Sequence, residues 1–335
     1  MFKGSIRAAA LAVTCLLVAF ICTYLFSPGF IPAPKSPFTG GRYANPYASL
    51  REGRWFKANF HAHSDRCGGK QPPCEVVSKY REMGFSIAGV SDHNMTTDTS
   101  ACSDMYVPVY EHGFGVKGRN YTAINCEHTI MEWFPLFQGV NQKQMTLNRL
   151  RGVCSFIAIN HPGREGAFTP DDFDLLDGYN AVEIFNYKSE GTAEWDRALS
   201  AGRLIWGFAG DDSHDAAANE YTGTRHIMIN SPSLTLRDII FSFRQGLFEI
   251  VKLSVPKGTL PHVKKLYVEG NVMRLVLDSA ADEIRFIGQG GVEAGRVSNT
   301  SDTVYEFRPA DTYIRIEIYR AGNASFLNPV LRYDR

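Results

Sequence analysis

From Trp55 to about Val255, short apolar runs alternate with amphipathic stretches. The runs "FKANFHAH", "SIAGVSD", "YTAINCE", "SFIAINH", "AVEIFNY" and "LIWGFAGDD" each read as a β-strand that ends in polar residues. Between several of them, "PCEVVSKYREMG", "NQKQMTLNRLRG", "GTAEWDRALSAG" and "LTLRDIIFSFRQG" carry the helical period. Repeated strand–helix units imply a parallel sheet, and polar groups at the strand ends place a site at its carboxyl edge. A barrel or barrel-like closure accounts for this stretch more simply than two domains do. After about Leu260 the pattern changes to period-two alternation in "VKKLYVEG", "VMRLVLDS", "EIRFIGQGG", "TVYEFRP" and "YIRIEIYRAG", with no convincing helix between them. That predicts a small antiparallel β domain with a structural or docking role.

At the other end, Ala8 to Phe26 is uncharged and follows Lys3 and Arg7. As a helix those residues would rise about 28 Å, close to the hydrocarbon thickness of a bilayer. The stretch is longer than an ordinary signal-peptide core, and no small-x-small cleavage site follows it. An uncleaved anchor with its basic end in the cytoplasm is favoured, with a cleaved secretory signal as the alternative. Either exports the rest of the chain. "SPGFIPAPKSPFTGGRY" then has the Pro and Gly density of a linker without regular elements. The expected organisation is an anchor or signal over 1–27, a linker over 28–54, an α/β domain over 55–258 and a β domain over 259–335.

Composition sharpens this picture only in part. Thirty-five basic residues cancel 35 acidic ones, which argues against a global polybasic footprint, so no duplex nucleic-acid partner is expected. Outside the apolar segment lie Cys67, Cys74, Cys102, Cys126 and Cys154. In an oxidising compartment Cys67 and Cys74 are placed to close the short "CGGKQPPC" loop, and no CxxC spacing suggests a thiolate zinc site.

The candidate chemistry is a recurrence of histidine and acid at the strand ends. His61 and His63 point to one face if "NFHAHS" is a strand, which is a metal-ligand arrangement. "GVSDHN" adds Asp92 and His93, "AINCEH" adds Glu127, "IAINHPG" adds His161, and "FAGDDSH" adds Asp212 and His214. Neutral imidazoles with carboxylates suit zinc, manganese or iron, and a carboxylate can bridge two cations. Closely spaced metals lower the pKa of bridging water and yield hydroxide near neutral pH, so hydrolysis needs no serine or cysteine nucleophile. Asp92 reads equally as a ligand or as a group that orients one. Asp211 is a possible ligand in place of Asp212, Glu183 and Asn186 read as supporting hydrogen-bond partners, and Arg164 and Arg225 as candidate anion binders. His112, His226 and His262 read as structural.

Taken in order, "HAH", "SDH", a strand-ending Glu, "NHPG" and "DDSH" resemble the motifs of the PHP family, named for polymerase and histidinol phosphatase, over Phe56 to about Val255. The resemblance implies a distorted (β/α)7 barrel with two or three divalent metals, Zn, Mn or Fe, at the carboxyl ends of the strands. It further implies that His61, His63, Glu127 and Asp212 hold one metal, that Glu127 bridges to a second with His161, and that His93 and His214 hold a third. Asp92, Glu127 and Asp212 are the implied catalytic carboxylates. The chain departs from the family where a histidine usually follows the bridging glutamate: "EHTIMEWFPLFQG" offers only His128 and Glu132, of which Glu132 is the expected substitute.

The expected activity is that of a metal-dependent hydrolase acting on a small-molecule phosphate mono- or diester. An ester, carbamate or amide hydrolase on the same metals is the first alternative, and a metal-binding module without turnover the second.

Overall fold

The computed structural model describes residues 2–25, 32–50, 54–113, 117–164, 166–218, 220–256 and 258–334. The chain opens with helix α1 (Phe2–Leu25) and strand β1 (Arg42–Ala44), followed by a 3-10 turn at Pro46–Ser49. Next come β2 (Trp55–Asn59), α2 (Pro73–Glu82), β3 (Ile87–Ala88), β4 (Val109–His112) and β5 (Tyr121–Cys126). The middle continues with α3 (Val140–Arg151), β6 (Cys154–Ile159), α4 (Pro170–Leu175), β7 (Ala181–Phe185), α5 (Thr192–Ser200) and β8 (Trp206–Ala209). β9 (Arg225–Asn230), α6 (Leu236–Arg244) and β10 (Phe248–Lys252) follow. The last strands are β11 (Val263–Glu269), β12 (Val272–Gly288), β13 (Val292–Glu306), β14 (Tyr313–Arg320) and β15 (Asn323–Tyr333).

The fold is mixed α/β with a β-rich carboxyl-terminal part. One sheet runs β11-β12-β14-β15-β10-β9-β2-β3, with β1 on β15 and β13 on β12, and a second runs β4-β5-β6-β7-β8. The expected uniformly parallel sheet is replaced by a mixed one. Among the strands of the described residues, β2/β3, β6/β7 and β7/β8 pair in parallel, whereas β5 is antiparallel to both β4 and β6. The connection from β4 to β5 is too short for a crossover helix, so the chain turns back on itself there. β5 therefore carries its carboxyl end to the opposite edge from β4 and β6. The carboxyl ends of β2, β3, β4, β6, β7 and β8 share one edge, and that edge carries the site.

The helices follow local sequence. Pro73 starts α2, whose Val76, Val77 and Tyr80 turn inward. Thr235 caps α6 by accepting the Asp238 N–H, and Ile239, Ile240 and Phe243 form its buried face. Phe243 stacks on Phe156 of β6 at 3.9 Å between ring centroids and meets Phe60 at 5.5 Å and Phe208 at 6.2 Å. These rings belong to one buried apolar cluster that includes Phe60, the residue before His61.

Residues 28–54 hold more structure than a linker: β1 and the 3-10 turn lie there, while residues 26–31 and 51–53 fall outside the described residues. The reason is Tyr47, which is buried, donates its hydroxyl proton to the Phe248 carbonyl at 2.6 Å and accepts the Asn328 N–H at 2.9 Å. The carboxyl-terminal strands likewise continue the sheet of the α/β body, because β15 pairs with β10 as well as with β14. Arg315 of β14, itself buried, bonds Asp196 of α5 through two nitrogens at 2.7 and 2.8 Å.

The disulfides are Cys74–Cys102 and Cys126–Cys154, and Cys67 is a free thiol. This corrects the expected Cys67–Cys74 bridge. Cys67 stays in a turn closed by the Gly69 N–H on the Ser64 carbonyl, while α2 carries Cys74 to the turn that follows Thr99. Cys126 and Cys154 are register partners across β5 and β6.

Candidate metal centre

The site is built at the strand ends from the second residue past β2 onward. His61 follows β2, and its Nδ1 lies 2.7 Å from Glu183 Oε1 of β7, which leaves Nε2 directed at the centre. Such a close approach needs Gly210, where a Cβ would meet the His61 Cβ at 2.5 Å. The other Glu183 oxygen accepts the His161 N–H at 2.8 Å and the Asn186 amide at 3.0 Å. Glu183 and Asn186 thus act as the supporting partners their sequence position suggests.

The central carboxylate is Glu111 of β4. Its Oε1 lies 3.4 Å from His61 Nε2 and 3.2 Å from His161 Nε2, and its Oε2 lies 3.3 Å from His63 Nε2 and 3.2 Å from His93 Nδ1. Asn160 steadies it, donating to Oε1 at 2.9 Å while its own oxygen accepts from Thr122. Asp212 faces Glu111, with Oδ1 3.2 Å from His63 Nε2 and 3.5 Å from His61 Nε2. His61, His63, Glu111 and Asp212 are all buried, and they offer ligand atoms within 4.8 Å of one another. His161 and Asp212 both sit at positive φ, 30° and 51°, a strained conformation costing roughly 1–3 kcal/mol each that turns their side chains inward.

Glu127 is not there. It lies exposed beyond Cys126, its N–H bonded to the Val153 carbonyl, at the edge of the sheet opposite His161. The antiparallel course of β5 accounts for this. Glu132, the expected substitute for a missing ligand, is also elsewhere: it accepts the Phe134 N–H at 2.7 Å and faces His112 at 3.6 Å. His112 is buried on the outer side of β4, and burial pushes its imidazole down to about 3. His128 is exposed.

Asp92 is buried beside the cluster, but its oxygens are committed. Oδ1 accepts the Ser64 N–H at 2.8 Å, and Oδ2 accepts the Ser64 and Thr97 hydroxyls at 2.6 and 2.5 Å. It fixes the turn after His63, so the orienting alternative describes its position and the ligand alternative does not. Asp211 is similarly engaged, by Asn59, Tyr80 and the N–H groups of Gly223, Thr224 and Arg225. Burial pushes its carboxyl up to about 6. His93 and His214 are half-buried at the rim; His214 Nδ1 lies 2.9 Å from the Asp212 carbonyl, and its ring lies tilted against that of His63 with 4.3 Å between centroids. Arg164 is exposed, its guanidinium over Gly118. Arg225 turns to Thr224 and the Tyr221 ring instead of the cluster.

Sequence reading also missed Lys188, whose Nζ lies 2.7 Å from Asp212 Oδ2 at the partly open side of the cluster. The signal for Glu111 was available in "VPVYEHG", one more apolar run closing on an acid and a histidine.

Neither a protein-family model nor a curated protein matches this chain. A solved structure does align. It is a two-domain protein from Bacteroides vulgatus containing a predicted PHP-like metal-dependent phosphoesterase, at 12% identity and a TM-score of 0.47, over 85% of this chain and 94% of that one.

The electrostatics favour a cation at the centre. Burial would push His61 down, but Glu183, Glu111 and Asp212 outweigh it and hold its imidazole well above the usual range. Burial likewise opposes ionisation of Glu111 and Asp212, yet the surrounding imidazoles hold both carboxyls below the usual range. His61 Nε2, both nitrogens of His63 and His93 Nδ1 are buried without a hydrogen-bond partner, although buried polar atoms are normally satisfied. Unpartnered imidazole nitrogens converging on two carboxylates are a donor set suited to a divalent cation.

Proposed function

We propose that the chain is an exported, metal-dependent hydrolase acting on a small-molecule phosphate mono- or diester. The observation that carries this reading is the convergence of His61, His63, Glu111 and Asp212 within 4.8 Å, with imidazole nitrogens that lack any other partner. These four residues would hold one divalent cation, and Glu111, flanked by His161 on one oxygen and His93 on the other, would extend the set to a second. Zinc, manganese or iron in such a set supplies a Lewis acid for phosphoryl oxygens and acidifies water.

The chain's own residues do the remaining work. Glu183 holds His61 in the tautomer that presents Nε2, and Asn160 holds Glu111 in place. Asp92 keeps the turn after His63 fixed. Lys188 offsets the charge of Asp212 and stands where an anionic substrate group would approach. The buried rings of Phe60, Phe156 and Phe243 exclude water from the core next to His61.

Export is supported by two features. The segment Arg7–Tyr24 has a mean hydropathy of 1.9 with none of it buried, and two disulfides suit an oxidising compartment.

The test uses the full chain in detergent, loaded with manganese or zinc. Release of nitrophenol from a nitrophenyl phosphate mono- or diester, abolished in His61→Ala, is the expected result. Less than one tightly bound metal per chain after reconstitution, by elemental analysis, would sink the reading. Turnover of aryl acetates alone would replace it with an ester hydrolase.

A further inference from the structure

The loop between β5 and α3 has an anchored side and a bare side. Phe134 is buried, and Gln138 donates to the Phe134 carbonyl at 2.9 Å. The bare side presents Met131, Trp133, Leu136 and Phe137, exposed by 75, 43, 51 and 63%. Four large apolar side chains within seven residues form the kind of patch that marks a contact surface.

That patch lies against the end of α1. The Leu136 N–H donates to the Tyr24 hydroxyl at 3.1 Å, and the Tyr24 ring is 5.4 Å from Phe134 and 4.8 Å from Phe137. Phe20 in turn packs on Tyr24 at 5.0 Å. No charge interrupts α1 between Arg7 and Tyr24, and that stretch has the length to cross the hydrocarbon of a bilayer. A bilayer crossed by this helix has its interface at Tyr24, and the loop touches α1 at that level. The chemistry agrees. Aromatic residues concentrate at the headgroup boundary, and the Arg149 guanidinium sits 3.8 Å from the Trp133 ring centroid while bonding the Met131 carbonyl at 2.8 Å. Apolar side chains beside an arginine suit acyl chains on one side and lipid phosphates on the other.

We propose that Met131, Trp133, Leu136 and Phe137 insert into the interface of the bilayer that α1 crosses, and so clamp the body against the lipid surface. Arg119 donates to the Leu136 carbonyl at 2.9 Å, two residues before the start of β5, at the edge that also carries Glu111 and His161. The Leu136 end of the loop is therefore tied to the edge of the sheet that carries the metal centre. This inference rests on the anchor reading of α1 and not on the metal site.

The experiment reconstitutes the full chain into vesicles of phosphatidylcholine and phosphatidylglycerol, with and without brominated acyl chains. Retention by vesicles after an alkaline wash reports on α1, and tryptophan quenching reports on the loop. Of the other three tryptophans, Trp195 and Trp206 are buried and half-buried Trp55 is stacked with His262 at the start of β2, so Trp133 should give most of the lipid-dependent quenching, and Trp133→Phe should lose it. A Met131→Ser, Leu136→Ser, Phe137→Ser variant, which changes only exposed side chains, should keep Trp133 and red-shift its emission. Retention without quenching, or quenching unchanged by Trp133→Phe, overturns the clamp while the anchor stands. Failure to be retained overturns anchor and clamp together and leaves the hydrolase reading untouched.

Discussion

Glu183 couples His61 to His161: one of its oxygens lies 2.7 Å from the His61 ring, and the other takes the His161 backbone N–H at 2.8 Å. A single carboxylate thus sets the tautomer of one imidazole and the backbone carrying the other. Replacing such a partner costs roughly 10–100-fold in metal affinity in well-studied sites. Glu183→Gln should lower affinity for zinc by about that factor, with the folded structure retained by circular dichroism. Unchanged affinity in a chelator competition would remove Glu183 from the site.

Glu111 and Glu127 make opposite predictions. Glu111→Gln removes the carboxylate shared by four imidazoles, so bound metal should fall below one equivalent and phosphoesterase activity should vanish. Glu127→Gln alters an exposed side chain at the far edge and should leave both unchanged. Elemental analysis of the two variants side by side decides between them.

This pair also shows what could be read in the sequence. His61, His63, His93, His161, Asp212 and His214 follow apolar runs, and the structure gathers them at one edge because their strands share a direction. Glu127 follows an equally good run, "YTAINCE", but a strand's direction depends on its neighbours and leaves no mark in its own residues. Antiparallel pairing sends Glu127 to the wrong edge and brings Glu111 to the right one. The same limit hid Lys188, which reaches Asp212 from a different strand's loop, and Tyr47, whose partners Phe248 and Asn328 are about 200 and 280 residues away.

The buried pair of Arg315 and Asp196 joins the carboxyl-terminal strands to α5. Removing one partner of a buried ion pair leaves the other uncompensated and typically costs about 3–5 kcal/mol. Arg315 also bonds Glu317, so Asp196→Ala leaves it one carboxylate and should lower the free energy of unfolding in urea titrations by up to that amount, whereas replacing Asp196, Arg315 and Glu317 together with apolar residues should cost less. Equal losses in the single and triple variants would contradict this account.

His226 gives a pH prediction away from the metal centre. Burial and, secondarily, Lys57 push its imidazole well below the ordinary histidine range, so the folded state holds it neutral. The unfolded chain takes up a proton below about pH 6.5 and the folded one does not, so stability falls with pH by up to about 1.4 kcal/mol per unit. His226→Gln should show a shallower loss between pH 7 and 5 in urea titrations. Identical slopes would show that His226 does not contribute.

The disulfides predict a thiol count. Alkylation of the denatured, unreduced protein should modify only Cys15, Cys22 and Cys67, and peptide mapping should recover Cys74 with Cys102 and Cys126 with Cys154. Each bridge spans 28 residues, so reduction should remove roughly 2–4 kcal/mol per bond. A linked Cys67–Cys74 peptide would restore the pairing suggested by spacing.

The placement of β15 bears on how the chain is made. The strand pairs with β1, β10 and β14, and Asn328 bonds the backbone of Gly207 and Gly246. Synthesis proceeds from the amino end, so β10 has an unpaired edge until Asn323–Tyr333 has emerged, and a bare strand edge is a template for unwanted pairing. The body cannot close on β10 before Asn323–Tyr333 has been made, so the nascent chain carries an open strand edge, and with it a risk of misassembly, for the whole time taken to synthesise the seventy residues between them.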